Sequence, residues 1–167
     1  MAVLSDRDII ETIKSGRIKV DPFDSERVQA GSLEMCMGFE VREFVDSKRF
    51  DLEKNELESR TRVLKIDYEG YFLRPHELVL AKTYESLKIS DDLIGWIEGR
   101  SSFAKMGLMV HVSSGFIHPG SEGHQILELY NFHKGPIKLH PKLPMCQVIF
   151  EETKSRAAKP HGAVREV

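Results

Sequence analysis

The stretch Leu33-Glu34-Met35-Cys36-Met37-Gly38-Phe39-Glu40-Val41 constrains this chain more than any other. Every odd position is apolar, and three of the four even positions are polar or glycine. Successive side chains on a strand point to opposite faces, so a period of two predicts a strand with one buried face. Shorter strand signals follow around residues 63–66, 78–81, 93–97, 109–112, 125–132, 137–139 and 147–150. Turn sequences separate them: Asp67-Tyr68-Glu69-Gly70, Arg74-Pro75, His118-Pro119-Gly120 and His140-Pro141-Lys142. Many short strands at close spacing, with little helix, predict an all-β, mainly antiparallel sandwich or barrel.

One short helix opens the chain. Ser5 is suited to cap it, Asp6 and Asp8 sit in the first turn where the helix dipole favours negative charge, and Ile9, Ile10 and Ile13 share a face. Gly16 can end it in a left-handed conformation. Residues 42–62 are dense in charge and read as a long surface excursion. The polar run from 151 onward leaves two readings, a frayed end or an arm that reaches a neighbouring subunit. The expected layout is one domain over residues 1–150 and a tail over 151–167, in a chain of 167 residues.

Charge and cysteine content exclude several function classes. Lys plus Arg is 24 against 26 for Asp plus Glu, a formal net charge of −2. A broad basic field for a nucleic-acid polymer is therefore not expected, while the balance leaves room for a local cluster that binds one small anion. Cys36 and Cys146 form neither a disulfide framework nor a CxxC pair, and read as small buried apolar residues. The N-terminus has no long apolar core of a signal peptide, and no stretch approaches the ~20 apolar residues that span a bilayer. The expectation is a soluble, cytoplasmic protein without a membrane partner.

Three features carry chemistry. Gly99-Arg100-Ser101-Ser102-Phe103-Ala104-Lys105-Met106-Gly107 follows a strand signal and reads as a short helix start. Peptide N–H groups, two hydroxyls and flanking cations suit phosphate, although a serine cap beside a solvated arginine explains the same letters. No Walker loop occurs. Second, Glu128 in Gln125-Ile126-Leu127-Glu128-Leu129-Tyr130 lies on a strand face between Ile126 and Tyr130. Burying a carboxylate there disfavours its charged form, the setting of a general acid or base; an edge glutamate or a subunit salt bridge is the alternative. Third, six of the seven histidines lie from His111 onward, at positions 111, 118, 124, 133, 140 and 161. Their spacing matches no compact zinc motif, so they read as solvated or core residues.

These residues, in this order, resemble the dCTP deaminases of the trimeric dUTPase-like superfamily. The resemblance runs through Leu4-Ser5-Asp6-Arg7-Asp8-Ile9, Gly16-Arg17-Ile18, Asp21-Pro22-Phe23 and Val28-Gln29-Ala30-Gly31-Ser32-Leu33-Glu34. Its most specific part spans Gly99-Arg100-Ser101-Ser102, His111-Val112-Ser113-Ser114-Gly115-Phe116-Ile117, Pro119-Gly120 and Leu127-Glu128-Leu129-Tyr130-Asn131. Pro136-Ile137 and Gln147-Val148-Ile149-Phe150 resemble the closing strands. The resemblance implies a distorted β-sandwich of the β-clip type, a homotrimer with sites at subunit interfaces, and a deoxynucleoside triphosphate (dCTP or dUTP) bound with magnesium.

It further implies that Glu128 is the catalytic proton carrier, that Ser101 and the Ser114 backbone orient the attacking water, and that Lys105 belongs to the catalytic set. Arg100, Ser102 and Gln147 would hold phosphates, and the segment around Ser114 and Phe116 would read the base, with His118 among the substrate-binding residues. Zinc deaminases need H-x-E and P-C-x-x-C motifs, and neither occurs here, so the implied chemistry uses no zinc. Departures stand out. Glu34 replaces the usual aspartate, Ser114 the usual alanine, and Lys105 the usual arginine, which keeps the charge but not the planar fork. His118 replaces the aspartate that positions water for phosphate attack in the diphosphatases; a neutral imidazole is itself a base. The family's closing tail segment is not recognisable in residues 151–167. The first expectation is a deaminase converting dCTP to dUTP and ammonia. The alternatives are a dUTP diphosphatase, an enzyme with both activities, and a nucleotide-binding trimer without catalysis.

Overall fold

The computed structural model describes residues 2–164 apart from Ser47, Asn55 and Val112. Its elements in chain order are helix α1 (Asp6–Lys14), strands β1 (Ile18–Asp21), β2 (Val28–Gln29), β3 (Ser32–Phe44), β4 (Thr61–Lys65), β5 (Tyr71–Leu73), β6 (Leu78–Ile89) and β7 (Leu93–Gly99), helix α2 (Ser101–Ala104), and strands β8 (Leu108–Val110), β9 (Phe116–Ile117), β10 (Ser121–Asn131), β11 (Ile137–Leu139), β12 (Pro144–Glu152) and β13 (Gly162–Ala163). Short 3-10 turns lie at Ser25–Arg27 and Glu58–Arg60. No helix among the described residues is long and apolar enough to cross a membrane.

The alternating stretch around residue 37 is the spine. The first half of β3 pairs with β12, through Leu33 opposite Val148 and Glu34 opposite Gln147. Its second half pairs with β6 and β4, through Val41 opposite Ala81 and Leu64. One strand thus belongs to two layers. The first layer is β2, β3, β12, β7 and β9, and the second is β4, β3, β6, β10 and β8 with β1 and β13 at their edges. All these pairings are antiparallel except β13 with β10, which is parallel. The result is mainly antiparallel, as the strand pattern predicts, and its two layers make the distorted sandwich that the resemblance implies. A separate two-stranded sheet joins β5 and β11.

The crossover between layers needs a glycine. A Cβ at Gly38 would sit 2.9 Å from the Lys82 carbonyl oxygen and 3.2 Å from that of Thr83. The register slips between Met37 and Val41, and with it the strict alternation. Leu33, Met35, Met37 and Val41 are buried as the period predicts, whereas Phe39 is half-exposed and packs edge-on against Tyr68 and Tyr84. The charged excursion begins later than expected, because β3 continues to Phe44 under cover of β4.

The core lies between the layers. Leu33, Met35 and Met37 of β3 meet Leu127 and Leu129 of β10, Leu87 and Ile89 of β6, and Val148 and Phe150 of β12, all fully buried. α1 plugs one end through Ile9, with Ile13 packed partly against the core. Ser5 caps it as expected, with a reciprocal bond from the Ser5 N–H to Asp8, and Gly16 follows at φ 77°.

Candidate active site

β10 places the carboxylate. Its inward residues Leu127 and Leu129 are core, so Ile126, Glu128 and Tyr130 must face the other way. Glu128 lies opposite Leu80 of β6, and its neighbour Leu129 lies opposite Val110 of β8, so strands fix it on both sides. Its half-buried side chain opens onto a cleft of about 560 Å³. Besides Glu128, the cleft walls include Ile97, His111, Ser114, Phe116, His118 and His161. Glu128 is the only carboxylate among the described residues lining it.

The loop between β8 and β9 folds over this carboxylate. His111 begins it in the left-handed region, at φ 57°, and its peptide N–H donates to the Glu128 carbonyl at 2.7 Å. The His111 ring turns back, with Nε2 2.5 Å from the Ser114 carbonyl oxygen. That closure presents the Ser113 peptide N–H to the Glu128 carboxylate, 3.2 Å from Oε2. Gly115 anchors the far end, its carbonyl accepting from the Ile97 N–H at 2.7 Å. A ring ladder forms the adjoining wall. Trp96, the sole tryptophan, meets Phe116 at 4.9 Å between ring centroids, Phe116 meets His118 at 4.7 Å, and His118 meets His161 at 5.2 Å.

His161 comes from the C-terminal segment, which through residue 164 packs on its own chain. The chain turns back and adds β13 beside the start of β10. His161 donates its N–H to the Pro119 carbonyl at 2.8 Å, and Val164 to that of Glu122 at 2.6 Å. Gly120, at φ 76°, leaves the room: a Cβ there would lie 2.5 Å from the Cβ of Pro160.

The remaining site candidates form a second group. Arg100 caps α2 with its backbone, and neither serine caps the helix through its side chain; Ser101 and Ser102 are exposed. The Arg100 guanidinium pairs with Glu34 at 3.1 Å and donates to the Pro144 carbonyl at 3.3 Å. Gln147 lies opposite Glu34 in the sheet, and its Oε1 accepts from the Ser32 hydroxyl at 2.9 Å. Lys105 borders a separate apolar hollow with Phe103, Leu108 and Leu143. Arg100, Ser101, Ser102, Lys105 and Gln147 do not line the Glu128 cleft. Arg100 is three residues beyond Ile97 of the cleft wall, about 10 Å along an extended strand. The single chain therefore brings Glu128, Ser114, Phe116 and His118 together in one cleft and leaves the cationic and hydroxyl group out of its lining. His111 and His161, whose spacing reads as that of solvated or core residues, both line the cleft. No periodicity marks either of them, since each arrives by loop closure.

A carboxylate under a peptide N–H, beside an aromatic wall, is suited to proton transfer. Among the described residues, no cluster of three His, Cys, Asp or Glu side chains is placed to hold a metal ion. The fold is a mainly antiparallel β-sandwich whose second layer carries this carboxylate-bearing cleft. A family model described as dCTP deaminase-like matches residues 3–153, and the chain belongs to that family. A relative from Methanosphaera stadtmanae, named dCTP deaminase, dUMP-forming, is 36% identical over 97% of this chain and 85% of its own. One of the same name from Thermobifida fusca is 38% identical, covering 96% and 83%. One from Alteromonas mediterranea, named dCTP deaminase, is 37% identical, covering 96% and 87%. In fold, the chain is similar to the crystal structure of 2'-deoxycytidine 5'-triphosphate deaminase from Agrobacterium tumefaciens, with a TM-score of 0.70 and 20% identity. That match covers 89% of this chain and 47% of the Agrobacterium chain, so this chain spans about half its length.

Proposed function

We propose that this protein hydrolyses dCTP at the amino group of its cytosine, taking the nucleotide with its magnesium ion as substrate. The observation that carries the reading is Glu128, the one carboxylate among the described residues lining the cleft, held 3.2 Å from the Ser113 N–H. Water adds to C4 of the ring while Glu128 takes its proton. The carboxyl passes that proton to N3, then takes the proton of the new C4 hydroxyl and delivers it to the amino group, so that ammonia leaves and a carbonyl remains at C4. Atoms balance: dCTP and water give dUTP and ammonia. The backbone from Ser114 to Phe116 reads the edge of the base, and the Phe116 ring closes one side. Glu128 thus serves as base and then as acid within one turnover.

Phosphate recognition falls to the second group, Arg100, Ser102 and Gln147, with Ser101 and Lys105 completing the reacting end. Those residues stand away from the cleft of their own chain, so a complete site needs a neighbouring copy whose α2 faces this cleft. A homotrimer supplies that arrangement three times. Magnesium neutralises the phosphate charge and enters with the nucleotide.

A second reading adds hydrolysis of dUTP to dUMP and pyrophosphate, with His118 as the base for water. The names of the Methanosphaera and Thermobifida relatives favour it, since both are called dUMP-forming. Incubation with magnesium and dCTP, followed by ammonia measurement and nucleotide chromatography, separates the readings. Ammonia with dUTP supports deamination alone, and ammonia with dUMP and pyrophosphate supports both steps. Nucleotide binding without ammonia over hours refutes the deaminase and leaves a binding protein. A monomeric mass in solution refutes the shared site.

A further inference from the structure

The segment after β12 lies almost wholly beyond the family match, which ends at residue 153, yet His161 and Val164 line the Glu128 cleft. Two sets of contacts hold it there. One is the β13 ladder, in which His161, Gly162 and Val164 donate to the carbonyls of Pro119, Gly120 and Glu122. A strand of two residues orders its backbone at an entropic cost that so few bonds barely offset.

The other set is ionic. Arg156 reaches Asp91 at 2.8 Å and Asp92 at 3.7 Å, and Ala157 donates its N–H to the Asp91 carbonyl at 2.8 Å. Asp92 is shared with Arg17 at 3.2 Å, and Arg17 also holds Glu152 at 3.0 Å. Thr153 closes the network through its N–H to the Asp92 carbonyl at 3.0 Å. Only Ala157-Ala158-Lys159-Pro160 separates Arg156 from His161, and proline at the end of that link restricts its backbone. So short a link passes the position of Arg156 on to His161.

We propose that Arg156 is a positioning residue: its pairing with Asp91 and Asp92 holds the chain's own C-terminal segment as a wall of the cleft, and so sets His161 against the bound nucleotide. The proposal rests on the reading above that the nucleotide occupies this cleft. His161, packed on the His118 ring, offers a ring N–H to a hydroxyl or phosphate oxygen of the ligand. Arg156 is 69% exposed, and exposed ion pairs contribute modestly, so its removal weakens the wall by degrees.

The test uses the full chain with magnesium and dCTP. Arg156→Gln raises KM about three- to fivefold, the range an exposed ion pair supports, and changes kcat less. In the free protein, amide exchange at His161, Gly162 and Val164 quickens. Arg156→Lys restores part of both readouts. The charge exchange Arg156→Asp with Asp91→Arg also restores them, which a general loss of folding would not allow. Unchanged exchange in Arg156→Gln overturns the latch. Faster exchange with an unchanged KM overturns the part of His161 in binding. A wild-type protein that releases no ammonia from dCTP defeats the proposed activity instead, and the exchange result still decides the latch.

Discussion

Glu128→Gln isolates the proton chemistry from everything else the residue does. Glutamine keeps the length of the side chain, and its Oε1 still accepts the Ser113 N–H that now bonds Glu128 at 3.2 Å. The strand bonds around it are backbone and do not change, including the 2.7 Å bond from the His111 N–H to the Glu128 carbonyl. Folding and nucleotide affinity should therefore survive within about threefold, since an uncharged acceptor replaces a charged one in a half-buried site. An amide cannot take a proton from water or return one to ammonia. A positioned acid or base contributes about 10²–10⁴-fold, and here one group performs both transfers with no second carboxylate in the cleft among the described residues. The expected loss in kcat lies at the upper end, about 10⁴-fold, or about 5.4 kcal/mol of barrier. The assay is the initial rate of ammonia release at saturating magnesium and dCTP, with the dCTP dissociation constant measured by calorimetry. Glu128→Asp should fall between, because a side chain shorter by one methylene pulls the carboxylate from Ser113. A glutamine variant within tenfold of the wild-type rate would refute the role given to Glu128.

Three further outcomes follow from the structure. Burial pushes Asp92 upward, but the Ser90 hydroxyl and the charges of Arg17 and Arg156 outweigh it and hold its carboxyl below the usual 3.8. A lowered carboxyl stabilises above its unfolded value and loses that contribution as pH falls through the folded one. The protection factors of the His161 and Val164 amides, corrected for the intrinsic pH dependence of exchange, should therefore be flat above about pH 5, fall below 3.8, and recover on return to neutrality. Cys36 and Cys146 are 4% and 0% exposed, and burial, with Glu85 adding to it, pushes Cys36 up to about 12 and Cys146 up as well. A thiol reagent at pH 8 should label neither in the native protein and both after unfolding, and labelling of the folded enzyme would contradict this core. Leu127→Ala removes a fully buried side chain directly behind Glu128 and should cost about 2–5 kcal/mol in urea unfolding. A loss under 1 kcal/mol would mean that the layers close over the gap.

Much of this protein is written locally. The period of two around Met37 specifies a strand and its buried face, and the Ser5 cap and Gly16 specify where α1 begins and ends. Glu128 was legible as a carboxylate on an apolar strand face, because Ile126 and Tyr130 flank it at spacing two. The phosphate-type cluster at Arg100, Ser101 and Ser102 was legible as composition, but not its separation from Glu128. Contiguous residues cannot show which strands become neighbours.

Tertiary closure decided the rest. Gly38 lets β3 change layers because β6 comes close enough to exclude a Cβ, a contact between positions more than forty residues apart. His111 joins the site because the loop folds its ring back onto Ser114. His161 joins it because the chain returns to the edge of β10, while the letters of residues 151–167 are equally compatible with a loose end. Backbone geometry imposes periodicity on residues adjacent in sequence, so a single stretch reveals it. Proximity in the cleft comes from burying one shared core, and that depends on every element at once.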